Sequence, residues 1–382
     1  MRSAHAPREN AFHASENVKM QIVRVNLGPA SYDAHVGANI LDRIGKLASD
    51  AGLKPGRCAI VTDSNVEKLY GAKVVHALEK SGFAPIVISV PPGEASKSLA
   101  TLEVLYERMT ASSLDRASAV FALGGGVVGD LAGFAAATYL RGIPLVQIPT
   151  TVVAQVDSAL GGKTGVNHRH AKNLLGAFYQ PRLVVADVAT LATLPAREFC
   201  EGLAEVIKYG AIMDAPMIAD LEGGLDSILA RDLDLLESVV ARSLAHKATV
   251  VSADEREAGL RKTLNFGHTI GHAIEASAGY GNYLHGEAVA IGMTAAARLS
   301  SAYAGLSAEE ASRLHHLLDR AGLPTAMPPG WHSDEFLRAL NLDKKRDAGA
   351  IEFVLLDRLG HALTRSLSID EILKPLSAVS DP

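Results

Sequence analysis

The sequence predicts an α/β domain with a Rossmann-like, mostly parallel sheet, followed by a mainly helical domain. Three observations predict it. Short β-rich runs alternate with helical patterns through the first half. A strand, a glycine turn and a helix start stand together at 119–134. Beyond Pro195 the segments become long and amphipathic, with one strand-like run among them.

The strand-like runs are 21–27, 58–62, 85–90, 119–123, 144–148 and 182–186. Each is rich in Val, Ile or Leu, as strands buried on both faces require. Helical patterns at 64–81 and 98–111 fall between them. In the second half, helices are expected at 196–213, 233–252, 268–278, 287–303 and 308–321, and a strand at 351–356. Residues 1–18 mix His, Arg, Glu and Asn with no apolar segment, and read as a disordered extension, not a secretory signal. The division expected is therefore 1–18, an α/β domain over 19–194 and a helical domain over 195–382.

Composition excludes several classes. With 382 residues, two ordinary domains fit. A net charge of −5 without a dominant basic run argues against nucleic acid as partner. No apolar run is long enough to span a bilayer. Two cysteines, Cys58 and Cys200, make no disulfide framework; both sit in apolar contexts as packing residues, and a reducing cytoplasm is expected.

The turn A-L-G-G-G-V-V-G-D-L-A-G-F places Gly124, Gly126 and Gly129 at the spacing of G-x-G-x-x-G. Such glycines let backbone N–H groups approach a pyrophosphate at a helix N-terminus. Asp130 could then accept from a ribose or nicotinamide group. The turn is not in the first βα unit, and no acid lies about twenty residues on, so a purely structural turn is the competing reading. Thr150 and Thr151 end the next strand, as ligand contacts or as caps of the following segment.

His268 and His272 lie one helical turn apart in R-K-T-L-N-F-G-H-T-I-G-H-A-I-E, and His285 follows in Y-L-H-G-E-A, where a loop enters a helix. The glutamate of H-E-x-x-H is absent, which removes the protease reading; the pair alone is either incidental or ligating. Glu205 on an otherwise apolar helix face either pairs with Lys208 or binds a metal, leaving Lys208 for proton chemistry. Imidazole plus carboxylate suits a divalent ion such as zinc, and the cations around it suit an anionic substrate. Asp157 and Lys163 lie in Q-V-D-S-A-L-G-G-K-T-G-V-N, with Lys172 and Asn173 beyond: an anion-wrapping or a solvated loop, not a P-loop. Lys344, Lys345 and Arg346 form a cationic run of the kind usually found solvated at a surface.

Together these strings, with P-P-G-E-A-S-K-S, I-P-T-T, K-N-L-L-G-A-F-Y-Q-P, A-E-V-I-K-Y-G, H-G-E-A-V-A-I-G-M and L-D-K-K-R, resemble the 3-dehydroquinate synthases, which are sugar-phosphate cyclases. The resemblance covers about residues 22–370. It implies a carbon–oxygen lyase of aromatic amino acid biosynthesis. The substrate would be 3-deoxy-D-arabino-heptulosonate 7-phosphate. NAD oxidises it transiently, phosphate leaves, the hydride returns, and an aldol step closes the carbocycle. It also implies one zinc or cobalt ion on Glu205, His268 and His285, which makes His272 a substrate contact instead. NAD would meet Asp63, Asn65, Glu94, Lys97, Gly126, Val127, Val128, Gly129, Asp130, Thr150, Thr151, Lys163, Lys172, Thr190, Leu191 and Thr193. The substrate pocket would use Asp157, Lys163, Asn173, Lys208, Lys247, Arg261, Asn265, His272 and Lys344. Within it, Lys208 would shuttle a proton, which needs its pKa lowered. Arg141 in Y-L-R-G would reach the phosphate of a neighbouring subunit, implying a homodimer. Ala159 and Ala171 depart from residues common in the family, and neither carries a reacting group.

Overall fold

The computed structural model describes residues 20–377 apart from 170, 280, 281, 332 and 343–349. Its main sheet has seven strands: β1 (Gln21–Val25), β2 (Tyr32–Gly37), β3 (Arg57–Asp63), β4 (Ala84–Val90), β5 (Ala119–Gly124) and β6 (Leu145–Pro149), with β9 (Leu183–Asp187). The order is β1-β2-β9-β6-β5-β3-β4. Only the β1–β2 pair is antiparallel. Every residue of β5, β6 and β9 is buried, which is why these strands read as unbroken apolar runs. Alternate side chains divide between two layers. Ile60, Phe121 and Val146 pack on helices Ile44–Asp50 and Ala72–Glu79. Val61, Val120 and Leu145 pack on Leu99–Ala111 and Gly126–Thr138.

The second half docks on the β2–β9 side. Val184 and Ala186 of β9 share a core with Leu203, Val206 and Ile207 of helix Ala196–Met213 and with Val240 and Leu244 of helix Leu233–Ala253. Helices His268–Ser277 and His285–Tyr303 cross at very short range. A Cβ on Gly292 would lie 1.9 Å from the Gly267 carbonyl oxygen, and one on Gly271 would lie 3.0 Å from that of Ala288. Only glycine permits this approach.

Several elements differ from expectation. β7 (Lys163–His168) and β8 (Ala171–Phe178) form a hairpin, its first strand where a glycine-rich loop was expected. The hairpin's glycines are required by packing: a Cβ on Gly176 would lie 2.1 Å from the Thr164 oxygen. β2 carries Asp and His on one face and lacks an apolar run. The strand expected at 351–356 is β10 (Ala350–Arg358), and it pairs with β11 (His361–Ser368), whose exposed polar residues hide it. Helix Ala215–Leu229 lies in a stretch where no element was expected; it holds Pro216, which is accommodated in a first turn, and a Gly223–Gly224 pair. His285 opens its helix and does not precede it. No helix among the described residues is long and apolar enough to cross a membrane. Cys58 is fully buried and burial pushes its thiol up to about 12, consistent with packing.

Candidate active site

Helix Ala196–Met213 buries a charged pair in an apolar face: Glu205 is 0% exposed and Lys208 is 1% exposed. Lys208 donates to Glu205 Oε2. Glu205 Oε1 finds no hydrogen-bond partner among the described residues. It faces His268 Nε2 at 3.4 Å and His285 Nε2 at 3.5 Å. A buried carboxylate oxygen left open beside two imidazole nitrogens is a donor set for a divalent cation. His268 Nδ1 lies 3.2 Å from the Phe266 carbonyl, so a proton there leaves Nε2 as the ligating atom. Burial and the Lys208 cation push His268 down to about 3, keeping it neutral. Burial opposes the Glu205 charge, but Lys208 and His268 hold its carboxyl at about 2. Burial also opposes charge on His285, and the Glu205 and Glu275 carboxylates outweigh it, raising that ring to about 10. The field at this point favours a positive charge.

His272 stands beside the set, its ring 5.4 Å from that of His268. His272, Glu275 and His285 also bring ligand atoms within 4.8 Å of one another. Glu275 Oε1, however, already meets Lys172 Nζ at 3.1 Å. The open oxygen belongs to Glu205, so the geometry favours Glu205, His268 and His285 over the pair that spacing alone suggests.

Asp157 lies in the tight helical turn Ala154–Ser158. Its Oδ1 accepts from Lys247 Nζ at 2.6 Å and from the Tyr209 hydroxyl at 2.7 Å. Burial opposes its charge, yet Lys247 and Lys208 hold the carboxyl well below the usual range. Burial lowers the Lys208 pKa, but Glu205 and Asp157 outweigh burial and raise it. Lys208 therefore keeps its proton. Tyr209→Phe removes a donor from Asp157 while Lys247 remains; we expect about a 5- to 30-fold fall in kcat/KM, the equivalent of a net loss of ~1–2 kcal/mol, with little change in melting temperature.

The glycine turn opens helix Gly126–Thr138 at the C-terminal end of β5, in the crevice where parallel sheets collect ligands. Val128 packs under Gly124, so only its backbone and that of Val127, Gly126 and Gly129 can serve a ligand there. A Cβ on Gly129 would lie 2.9 Å from Gln147 Oε1. The turn thus has a structural need for glycine as well. Lys97, 5% exposed, joins Asp130 Oδ2 at 2.5 Å and also donates to Asn173 Oδ1. Asp63 Oδ1 caps its own following turn, accepting from the Asn65 and Val66 amides at 2.9 and 3.1 Å. Glu94 accepts from Asn167 Nδ2 at 2.7 Å. Thr151 Oγ1 caps Ala154 N at 3.2 Å, whereas buried Thr150 Oγ1 finds no partner among the described residues. In the turn Val188–Thr193, Leu191 is buried, Thr190 Oγ1 accepts from Gln155 and Thr193 Oγ1 meets the Tyr70 hydroxyl at 2.6 Å.

Arg261 is 2% exposed and bonds the Glu255 carbonyl at 2.5 Å and the Gly161 carbonyl at 3.1 Å. Gly161 has φ +96°, and a Cβ there would lie 2.5 Å from the guanidinium. Lys163 pairs with Glu257, which also accepts from Asn265 Nδ2 at 3.1 Å. Arg141 is exposed, in the left-handed region at φ 68°, at the far end of helix Gly126–Thr138 from the glycine turn. That helix spans about 20 Å, so within one chain Arg141 stands apart from the site. Lys344 lies outside the described residues. Tyr209, Glu257, Glu275 and Asn167 were not anticipated. Tyr209 adjoins Lys208, and Glu275 continues the helix face of His268 and His272, so two of the four had a readable signal.

The chain is similar to known proteins along most of its length. Residues 87–201 match the family model described as 3-dehydroquinate synthase N-terminal, and 202–346 match 3-dehydroquinate synthase C-terminal. The chain is 51% identical to the 3-dehydroquinate synthase of Citrifermentans bemidjiense over 86% of this chain and 91% of that one. It is 48% identical to that of Desulforamulus reducens over 94% and 100%. Among solved structures, 2-deoxy-scyllo-inosose synthase complexed with carbaglucose-6-phosphate, NAD+ and Co2+ superposes with TM-score 0.84 at 28% identity, covering 94% of this chain and 99% of that one. 2-epi-5-epi-valiolone synthase from Streptomyces hygroscopicus, with NAD+ and Zn2+ bound, gives 0.83 at 30%, covering 91% and 96%. With both halves matched and about half its residues shared with relatives over nearly their full length, this chain belongs to the 3-dehydroquinate synthase family.

Proposed function

We propose that the chain converts 3-deoxy-D-arabino-heptulosonate 7-phosphate to 3-dehydroquinate and phosphate, as a carbon–oxygen lyase of the shikimate pathway. The observation that carries this reading is the open Glu205 oxygen between two histidines, set among buried cations in a chain 51% identical to a 3-dehydroquinate synthase. Glu205, His268 and His285 would hold one zinc or cobalt ion, and the Gly126–Asp130 turn with Lys97 and Thr150 would hold NAD. When bound, NAD takes up and returns a hydride and the cation acts as a Lewis acid on a substrate hydroxyl.

The chain's own residues bind, orient and hold protons. Arg261 and Lys247 present a fork and a point charge to a carboxylate. Lys163, Asn173 and Lys344 suit the phosphate, joined by Arg141 of a second copy in a homodimer. Lys208, kept charged by Glu205 and Asp157, holds a proton at Nζ beside the reacting hydroxyls. Asp157 stays ionised and fixes Lys247. Asn265 and His272 complete the pocket wall. The division at 195 separates the part that carries the glycine turn from the part that carries the metal set. A cytoplasmic location suits the cysteine usage.

Inosose- and valiolone-forming cyclases share the fold, but this chain is only 28–30% identical to them. The test is phosphate release from the heptulosonate phosphate with NAD in trace amounts. Phosphate should appear in many-fold excess over NAD with no net NADH. Stoichiometric NADH, as a polyol dehydrogenase would give, refutes the reading.

A further inference from the structure

We propose that Glu275 is a positioning residue that orients His285 for cation binding and is itself anchored by Lys172. This rests on the ligand set Glu205, His268 and His285 assigned above. Of those three side chains His285 is the most open, 36% exposed against 11% for His268 and 0% for Glu205. It is therefore the ligand that most needs a brace. Glu205 is fixed by Lys208, and His268 by the Phe266 carbonyl. His285 lies between two carboxylates: its Nε2 faces Glu205 Oε1 at 3.5 Å, and its Nδ1 faces Glu275 Oε2 at 3.6 Å, an ion-pair distance.

A carboxylate on the Nδ1 side favours the tautomer with its proton there. With the proton held at Nδ1, Nε2 is the nitrogen left to ligate a cation seated beside the open Glu205 oxygen, and ligand basicity rises. Glu275 is 8% exposed and sits seven residues after His268, on the same helix face. Its other oxygen, Oε1, meets Lys172 Nζ at 3.1 Å. Lys172 comes from β8, 103 residues earlier, in the hairpin that also carries Lys163 and Asn173. The lysine holds the carboxylate by Oε1 and leaves Oε2 facing His285. Each Glu275 oxygen thus has its own task.

The experiment titrates metal-free full-length protein with cobalt(II) and follows its visible absorption. Wild type, Glu275→Gln, Glu275→Ala and, as a ligand-loss control, Glu205→Ala are compared, with melting temperatures alongside. Both Glu275 variants should bind cobalt about 10- to 100-fold more weakly, reach the wild-type spectrum at saturation, and melt as wild type does. Unchanged cobalt affinity in both would overturn the inference. So would a saturated spectrum altered in the manner of Glu205→Ala, because Glu275 would then be a ligand. A wild-type chain that takes up no cobalt would overturn the ligand set, and this inference with it; wild-type uptake with indifferent variants overturns the inference alone.

Discussion

Replacing His285 with Ala should abolish turnover and metal retention while the protein stays folded. The side chain is partly open, 36% exposed, and opens the first turn of its helix. Its loss leaves Glu205 and His268 as two ligands, too few for a tight site. Lewis-acid assistance is worth several kcal/mol, so kcat should fall by at least about a thousandfold. Bound metal after gel filtration should drop to background, and the melting temperature in chelator should match that of the chelated wild type. Near-normal activity in metal-stripped buffer would refute the assignment of His285.

Arg261→Ala carries the second large effect, and it has two components. The guanidinium satisfies two buried carbonyls, on Glu255 and Gly161, so removing it strands both at ~1–3 kcal/mol each. It also removes the fork offered to the substrate carboxylate. We expect kcat/KM to fall by about 10²- to 10³-fold, mostly through KM. Arg261→Lys should recover little, since an ammonium cannot bridge the two carbonyls and present a planar fork as well. A substrate analogue lacking the carboxylate separates the components. It should bind wild type and Arg261→Ala alike, apart from any loss of folded protein read from the melt. Equal impairment with both ligands would place the whole effect in the fold.

Sequence carried the sheet well where burial on both faces gives unbroken apolar runs, as in β3, β5, β6 and β9. It failed where close packing demands glycine. Gly165 lies in a stretch that reads as loop, and with Gly176 it allows β7 and β8 to pass at contact distance. The same ambiguity governs the metal helices. Spacing pairs His268 with His272, because three-residue and four-residue neighbours are all that a linear pattern can see. The partners the structure supplies, Glu205 and His285, lie 63 residues before and 17 residues after His268, and glycine-mediated helix crossing brings His285 in. Lys208 shows a different limit. Its neighbours on the helix were legible, but Asp157, which helps keep it charged, arrives from the turn Ala154–Ser158. Glu257 acts through contacts with Lys163 and Asn265 that no motif encodes.

The central claim concerns where one divalent ion sits, and anomalous diffraction from cobalt-loaded crystals reads that position directly. A single peak about 2.0–2.2 Å from a Glu205 oxygen and from the Nε2 atoms of His268 and His285 is the expected result. A peak held instead by His272, Glu275 and His285, with Glu205 still bound only to Lys208, would contradict it.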